Sequence, residues 1–544
     1  MCEVLGTRAS TRRDRIHPDE DVRNRHRHTA RIRLVISQGA GGVIGTLAER
    51  ANLVPGISGL SLYLPPYRVQ LEQWCDWNDQ SWDKVRNVVG RSFRMRGPAQ
   101  SVYTMAANAV WRLIRDYDID PRDVGYLALG TESSSDNSAG AIIVKGMIND
   151  ALVANGKPEL ARDCEVPEFK HACLGAMYGV KSALRYLSSD GAGRKAIVVG
   201  ADIAEYRRGS SGEPTQGAGA VAMLLESDPK LLTIDLAGAG SDSDYRAVDF
   251  RKPFARFRDQ PKRDDGQMQD LPVFNGRYST SCYIDATHHA VMNMLAKRDG
   301  ANLAYFDEVD SVFMHRPYQQ MPAIGWVMTY LFALAADVNG GKEILRELSV
   351  ATGVDYDALV AELSAPSPFR GQGVSVSEET SDLFPLSGQV RRHLRKTETW
   401  ATLVEKKLGL GENAMRDLGN LYTAALPAWI ASGFVEAHDD DLRVAGQEWL
   451  ALGYGSGDAA EALPMRVADG WREAASRINF TEALADPIDL DQHQYEALHD
   501  GRAATLSPPQ ASDEFVVDRV GTTAGPDVAD LGIEFYRYVE AAQA

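Results

Sequence analysis

AIVVGADIAEYRRGSSGEPTQGAGAVAMLLES, residues 196–227, holds two apolar runs separated by a polar, glycine-rich turn. Both runs are short and nearly continuous, so each predicts a strand buried on both faces and not one half-exposed to water. Such strands need helices above and below them, and the flanking sequence supplies these. Upstream, GISGLSLYLP (56–65) reads as a strand, VYTMAANAVWRLIR (102–115) has helical spacing, and VGYLALGTE (124–132) is a strand running into a turn. A helix follows near 139–154, then VPEFKHACLGAMYGVKSALRYL (166–187), a short strand-like approach that opens a second helix. Downstream come a helix near 283–298, the strand VDSVFMHRP (309–317), the apolar helix GWVMTYLFALAADV (325–338) and a late strand at 448–453. Strands and helices alternating at these lengths predict layered α/β structure.

The chain has 544 residues. At ~100–200 residues per domain that means about three units or one duplicated architecture. Two halves of comparable style are expected at 56–231 and 232–502, the second with an insertion or lid at about 339–399. Residues 1–55 predict a disordered basic extension, with nine arginines in the first 33 positions. Residues 503–544 are a turn-rich tail in which EFYRYVEAA predicts a terminal helix. A net charge of −17 excludes a broad nucleic-acid face, because phosphate binding needs concentrated Lys and Arg. The 325–338 run falls short of the ~20 residues that span a bilayer, and the N-terminus has no signal-peptide core. Five cysteines (Cys2, Cys75, Cys164, Cys173 and Cys282) lie far apart with no CxxC pair. Neither a disulfide framework nor a metal site is indicated, and a reducing cytoplasm is the expected compartment.

Three residues stand where α/β folds place chemistry. Cys173 precedes a helix whose first residues are small, and a helix N-terminus favours thiolate, hence a nucleophile able to hold an acyl group. Glu132 ends a strand among small polar residues and could serve as a base. His315 projects from a strand tip that Pro317 stops. From position alone each also fits a structural role: a core thiol, a solvated loop acid, an exposed imidazole. In LGYGSGDAA, Gly455 and Gly457 flank Ser456 and leave its N–H accessible to an oxyanion. GAGAVA (217–222) follows a polar turn, not a strand, so it is no dinucleotide fingerprint.

Taken jointly, GTESSSDNS (130–138), HACLGAMYG (171–179), VVGADIAEYRRGSSGEPTQGAGAVAMLL (198–225), AVDFRKP (247–253), LPVFNGRYSTSCYIDA (271–286), FMHRPY (313–318), GNLYTAA (419–425) and YGSG (454–457) resemble the hydroxymethylglutaryl-CoA synthase family of the thiolase superfamily. The resemblance implies a five-layer αβαβα fold built from two similar halves, usually dimeric. It implies a Claisen-type condensation of acetyl-CoA with an acetoacetyl thioester, and hence a place in mevalonate and isoprenoid synthesis. Cys173 matches the nucleophile, Glu132 the base and His315 a residue orienting the second substrate. Asn420 matches a residue binding that substrate, Ser456 the oxyanion hole with the Cys173 N–H, and Thr215 and Ser279 substrate contacts. Coenzyme A thioesters are then substrates, and no further cofactor is implied.

The chain departs from the family pattern in places. His171 stands where Glu or Asn is usual, and Leu174 where an aromatic residue follows the cysteine. Gln319, Gln320, Met321 and Pro322 occupy positions where lysines meet CoA phosphates. Lost charge there weakens the case for free acetoacetyl-CoA and favours an acceptor carried on an acyl carrier protein, as in β-branching or β-ketoacyl synthases. A thiolase-fold scaffold without turnover is the remaining reading, and retention of Glu132, Cys173 and His315 together opposes it. An acidic chain that binds anionic thioesters should concentrate cations at the tunnel mouth, with Lys252, Arg256 and Arg258 as candidates.

Overall fold

The computed structural model describes residues 54–134, 139–246, 249–250, 252, 271–273, 276–298, 303–365, 382–502, 506, 510–525 and 529–541. The basic extension, Arg256, Arg258 and most of the Pro/Gly/Ser-rich run in 365–382 lie outside these residues. Among the described residues no single helix is long and apolar enough to cross a membrane.

The first half contains β1 (Gly56–Tyr63), α1 (Val102–Asp116), β2 (Val124–Gly130), α2 (Gly140–Ala154), α3 (Gly175–Leu187), β3 (Lys195–Ala204) and β4 (Gly217–Glu226). A linking strand, β5 (Leu232–Ile234), leads into the second half. That half contains β6 (Gly240–Ser243), α4 (Gly276–Leu295), β7 (Ser311–Met314), α5 (Met321–Ala336), α6 (Gly341–Thr352), α7 (Tyr356–Ser364), α8 (Pro385–Leu394), α9 (Ala425–Asp439), β8 (Glu448–Gly455) and β9 (Ala459–Val467). In the first half β2 pairs parallel with β3, β3 antiparallel with β4, and β4 antiparallel with β1. The second half repeats the scheme: β7 is parallel to β8, and β8–β9 and β9–β6 are antiparallel. The architecture is therefore a duplication. Strand β5 pairs with both β1 and β9, so the two sets join in one ten-stranded sheet.

Residue periodicity shows why helices cover both faces. Along β3, Ile197, Val199 and Ala201 pack with α1 and α2, whereas Ala196 and Val198 pack with α3. In β4, Ala218, Ala220, Ala222 and Leu224 face the first set, and Val221, Met223 and Leu225 the second. The burial expected of the two apolar runs is what the structure contains, while the turn between them exposes Arg207 and Arg208. Helices α3 and α9 share one core with the strands of both halves, and α4 closes the far side, which completes the αβαβα layering.

A buried ion pair fastens the central layer across the duplication. Lys181 on α3 meets Glu461 on β9 at 2.6 Å, and the Ser241 hydroxyl on β6 donates to the same carboxylate at 2.7 Å. Between β2 and α3 the first half uses one helix and a two-residue strand. Between β7 and α9 the second half inserts several, and α6, α7 and α8 pack through Leu345, Leu359, Leu363, Val390 and Leu394 onto Val327, Leu331 and Leu334 of α5.

The tail departs from expectation. EFYRYV is a strand, β11 (Glu534–Val539), paired antiparallel with β10 (Glu514–Val520). Tyr536 and Tyr538, two residues apart, set their rings against Tyr103 and Trp111 of α1. Asn108 makes the docking site, because its amide pairs with both the N–H (2.7 Å) and the C=O (3.1 Å) of Phe515. The partner strand lies outside the local window that suggested a helix.

Removing one member of the central ion pair leaves the other charge buried alone. Lys181→Met is expected to lower unfolding free energy by ~3–5 kcal/mol in urea titrations, and Lys181→Met/Glu461→Leu to lower it by less.

Candidate active site

The turn that carries the cysteine is built under constraint. Ala172 takes φ +41°, a left-handed conformation costly for a residue with a Cβ. The Leu174 N–H donates to the His171 carbonyl at 2.9 Å and closes the turn just before α3 begins. Two glycines allow it to sit so close to the strands. A Cβ on Gly130 would lie 2.3 Å from the Ala176 nitrogen, and one on Gly455 would lie 2.7 Å from the His171 carbonyl oxygen. Cys173 is thereby wedged between the end of β2 and the end of β8, against Tyr206, Phe250 and Tyr422.

One buried carboxylate organises the surrounding loops. Asp202, near the end of β3, accepts hydrogen bonds from the Thr131 hydroxyl (3.0 Å), the N–H groups of Glu132 (2.8 Å) and Ser133 (2.9 Å), and the Ser133 hydroxyl (2.7 Å). Its other oxygen accepts from the Thr423 N–H at 3.0 Å. The Thr423 hydroxyl in turn accepts from the Ala176 N–H at 2.7 Å in the first turn of α3. Burial raises the Asp202 carboxyl to about 6, and its hydrogen bonds pull the other way.

Six of the seven residues singled out from sequence line a single cavity of about 250 Å³: Cys173, Thr215, Ser279, His315, Asn420 and Ser456. Glu132 is not among the lining residues. It stands buried behind them, close enough that its charge acts on both Cys173 and Tyr422, with the Lys252 ammonium 3.5 Å from its carboxylate. Lys252 itself lies 5.8 Å from the centre of the Tyr422 ring. Its expected place at the tunnel mouth is therefore corrected: the aromatic residues and Glu132 hold it inside.

The remaining side chains are held firmly. Asn420 accepts the Tyr422 N–H at 2.9 Å through its side-chain oxygen, and its own N–H donates to the Thr215 carbonyl at 3.1 Å. Ser279 donates to Asp249 at 2.5 Å, and the Tyr454 hydroxyl lies 3.0 Å from both Asp249 and Asp458. Burial and the Asp249 charge push the Asp458 carboxyl up to about 8, against the pull of Arg246, which lies 2.9 Å away. His315 leaves β7 with its N–H on the Leu452 carbonyl (2.9 Å) and its own carbonyl on the Tyr283 hydroxyl (2.9 Å). It is 1% exposed, and burial depresses its imidazole to about 3, so the ring is neutral at working pH.

The thiol differs from expectation. A helix N-terminus alone favours thiolate, but burial and the Glu132, Asp202 and Asp249 carboxylates raise Cys173 well above the ordinary thiol value, against the pull of Lys252. The resting group is a neutral thiol. Sequence reading also passed over Asp202, Tyr206, Phe250 and Tyr422. For Asp202 a signal existed, since AIVVGAD closes an apolar strand on a charged residue. Tyr422 shares with Ala172 a positive φ (+45°), and such strain gathers at functional sites.

A cysteine-centred cavity at the junction of two duplicated β/α halves defines a thiolase-type fold. The family model described as hydroxymethylglutaryl-coenzyme A synthase N terminal matches residues 52–230. The hydroxymethylglutaryl-CoA synthase of Haloferax volcanii is 24% identical over 404 residues, 74% of this chain and 80% of that protein. Its counterpart in Enterococcus faecalis is 25% identical over 444 residues, 81% and 91% of the two chains. In structure, MvaS in complex with 3-hydroxy-3-methylglutaryl coenzyme A aligns with TM-score 0.66 at 24% identity, covering 90% of this chain and all of that one. The curacin biosynthetic pathway HMG synthase in complex with holo donor-ACP aligns with TM-score 0.62 at 18% identity, covering 89% of this chain and 100% of that one. The chain is thus similar to hydroxymethylglutaryl-CoA synthases over most of its length, and residues 52–230 match the N-terminal model of that family.

With a raised thiol, iodoacetamide labelling of Cys173 should accelerate with rising pH and show no plateau below pH 9. A plateau near neutrality would identify a stabilised thiolate. Glu132→Gln, which removes a repelling carboxylate, should speed labelling at fixed pH. Asp202→Asn turns an amide N–H₂ toward the Thr423 N–H or the Ser133 donors, and calorimetry should show a loss of ~1–3 kcal/mol.

Proposed function

We propose that this chain condenses an acetyl group from acetyl-CoA with the ketone of an acetoacetyl thioester and releases a 3-hydroxy-3-methylglutaryl thioester. The observation that carries the reading is the convergence of Cys173, His315, Asn420 and Ser456 on one cavity, with Glu132 buried behind its lining and close enough for its charge to act on Cys173. Cys173 Sγ attacks the acetyl carbonyl, and its proton leaves with the departing CoA sulfur. Because the thiol rests neutral, proton loss and attack are coupled, and no thiolate is stored. Glu132 then removes a proton from the acetyl methyl group. Donors that hold the enolate oxygen, the N–H groups of Cys173 and Ser456, are worth on the order of 3–4 kcal/mol each in such sites.

The carbanion adds to the acceptor's ketone, which His315 and Asn420 orient. A neutral His315 suits this orienting role, since it offers a hydrogen bond without bringing a charge into the buried cavity. Glu132 returns its proton to the alkoxide, and water cleaves the product from Cys173. Thr215 and Ser279 fix the substrate in the cavity, and the chain works as a homodimer in the cytoplasm. Support for an acceptor borne on a carrier protein comes from Gln319, Gln320, Met321 and Pro322, which bring no charge to the segment after His315.

Cys173→Ala should abolish both acetyl-enzyme and product. Glu132→Gln should still acetylate but lose ~10²–10⁴-fold in condensation, the usual weight of a general base. His315→Ala should raise the acceptor KM more than the acetyl-CoA KM. Condensation by Cys173→Ala would overturn the proposal. Offering acetoacetyl-CoA and acetoacetyl carrier protein side by side assigns the acceptor.

A further inference from the structure

The segment that leaves the catalytic cavity after His315 is the floor of a second, larger one. Pro317 and Tyr318 line the first, whereas Gln319 and Gln320 line a cavity of about 520 Å³ together with Arg395, Trp400, Arg416 and Trp429. The inserted helix α8 lies along this boundary. Arg391 acts electrostatically on the Tyr318 hydroxyl at the rim of the catalytic cavity. Four residues on, and so on the same side of the helix, Arg395 donates to the Gln320 side-chain oxygen at 3.1 Å and lies 5.4 Å from the centre of the Trp400 ring.

Among the described residues, the charges that face this segment leave a positive surplus. Arg91 is paired with Asp417 at 2.6 Å and Arg416 with Glu412 at 3.0 Å, while Arg316 sits 3.6 Å from Glu412. Three further described acids stand nearby: Glu405 lines the larger cavity, Asp382 acts on Arg391, and Glu362 is held at the start of α8 by the N–H groups of Leu386 and Ser387. Arg391 and Arg395 have no ion-pair partner among the described residues. The Nη1 of Arg391 is buried without a hydrogen-bond partner, and burial together with Arg395 and Arg392 lowers its pKa. A helix C-terminus welcomes cations, which accounts for arginines at the end of α8 but not for a guanidinium nitrogen buried with nothing to donate to. An anion would relieve the unmade hydrogen bond, the desolvation and the mutual repulsion together.

We propose that Arg391 on the inserted helix α8 and Arg395 just past its C-terminal end bind the phosphate of a phosphopantetheine thioester at the rim between the two cavities. The inference rests on the condensing reading above and deepens it. A pantetheine arm puts its phosphate many bonds from the thioester, so phosphate recognition belongs outside the catalytic cavity, and α8 flanks its rim. The arrangement also gives the insertion a purpose. It restores, from another part of the chain, the positive charge that Gln319 to Pro322 do not carry. Guanidinium forks suit phosphate through paired hydrogen bonds.

The test is calorimetric binding to the full-length protein of two probes, coenzyme A and phosphate-free pantetheine, with holo acyl carrier protein as a third. The ratio of coenzyme A to pantetheine affinity should fall about tenfold or more in Arg391→Ala/Arg395→Ala, the weight of a charge-assisted contact. Arg391→Lys/Arg395→Lys, which keeps the charge, should recover part of it. A loss confined to holo carrier protein supports the same site and assigns the phosphate to a carrier-borne arm. An unmoved ratio with every phosphate-bearing probe overturns the inference, as does an equal loss for pantetheine, or a lysine variant no better than alanine. Turnover is not the readout. A chain that binds coenzyme A through these arginines yet fails to condense keeps this inference and loses the condensing function, and the reverse outcome separates them equally.

Discussion

Everything at the catalytic cavity hangs on the buried Asp202 carboxylate. One of its oxygens ties down the loop of Thr131, Glu132 and Ser133 from the first half, and the other holds Thr423 from the second. Thr423 passes the connection to the start of α3 through Ala176, three residues beyond Cys173. Without this knot the Glu132 loop, the Cys173 turn and the Asn420 turn would be three independent loops. Such a group is costly to bury, and its carboxyl is raised accordingly, but five donors offset the desolvation that one or two would not.

The duplication explains why such a knot is available. Each half ends in the same motif, a central helix followed by an antiparallel pair of strands, and the two central helices share a core. Strand ends and helix starts from both halves therefore open on one region. There the backbone achieves its close approach with glycines at 130 and 455 and with left-handed turns at Ala172 and Tyr422. The second half carries its insertion on α5, so added helices reach the rim of the site without disturbing the duplicated layers.

Electrostatics divide the site into an acidic interior and a basic rim. Glu132, Asp202, Asp249 and Asp458 lie within, opposed by Lys252 and Arg246. This interior keeps the Cys173 thiol protonated, which overrides the helix N-terminus beside it. A dipole of about half a unit charge at one helix end does not outweigh desolvation and three nearby carboxylates. The overall charge of −17 conceals both features, since it reports neither where the acids are buried nor where the arginines of α8 gather.

Much of the architecture was legible locally. The buried strands at 196–205 and 217–227, the helices at 102–115 and 139–154 and the apolar helix at 325–338 follow from side-chain periodicity, which acts over a few residues. Cys173 and His315 could be suspected from their places at a helix start and a strand tip. Thr215, Ser279 and Asn420 entered through family resemblance, because nothing in their neighbours marks them. Other features were settled by contacts between distant residues. EFYRYV became a strand because residues 514–520 pair with it and α1 receives its tyrosines. Lys252 turned inward because Glu132, 120 positions earlier, stands 3.5 Å away. Sequence by itself determined which segments are buried and which pattern of strands and helices they form, since local geometry and apolar spacing decide both. Only the tertiary structure decided which charges meet, and therefore the protonation of Cys173, the neutrality of His315 and the place of α8 at the rim. Those properties depend on distance in space and on exclusion of water, and neither is written in the order of residues.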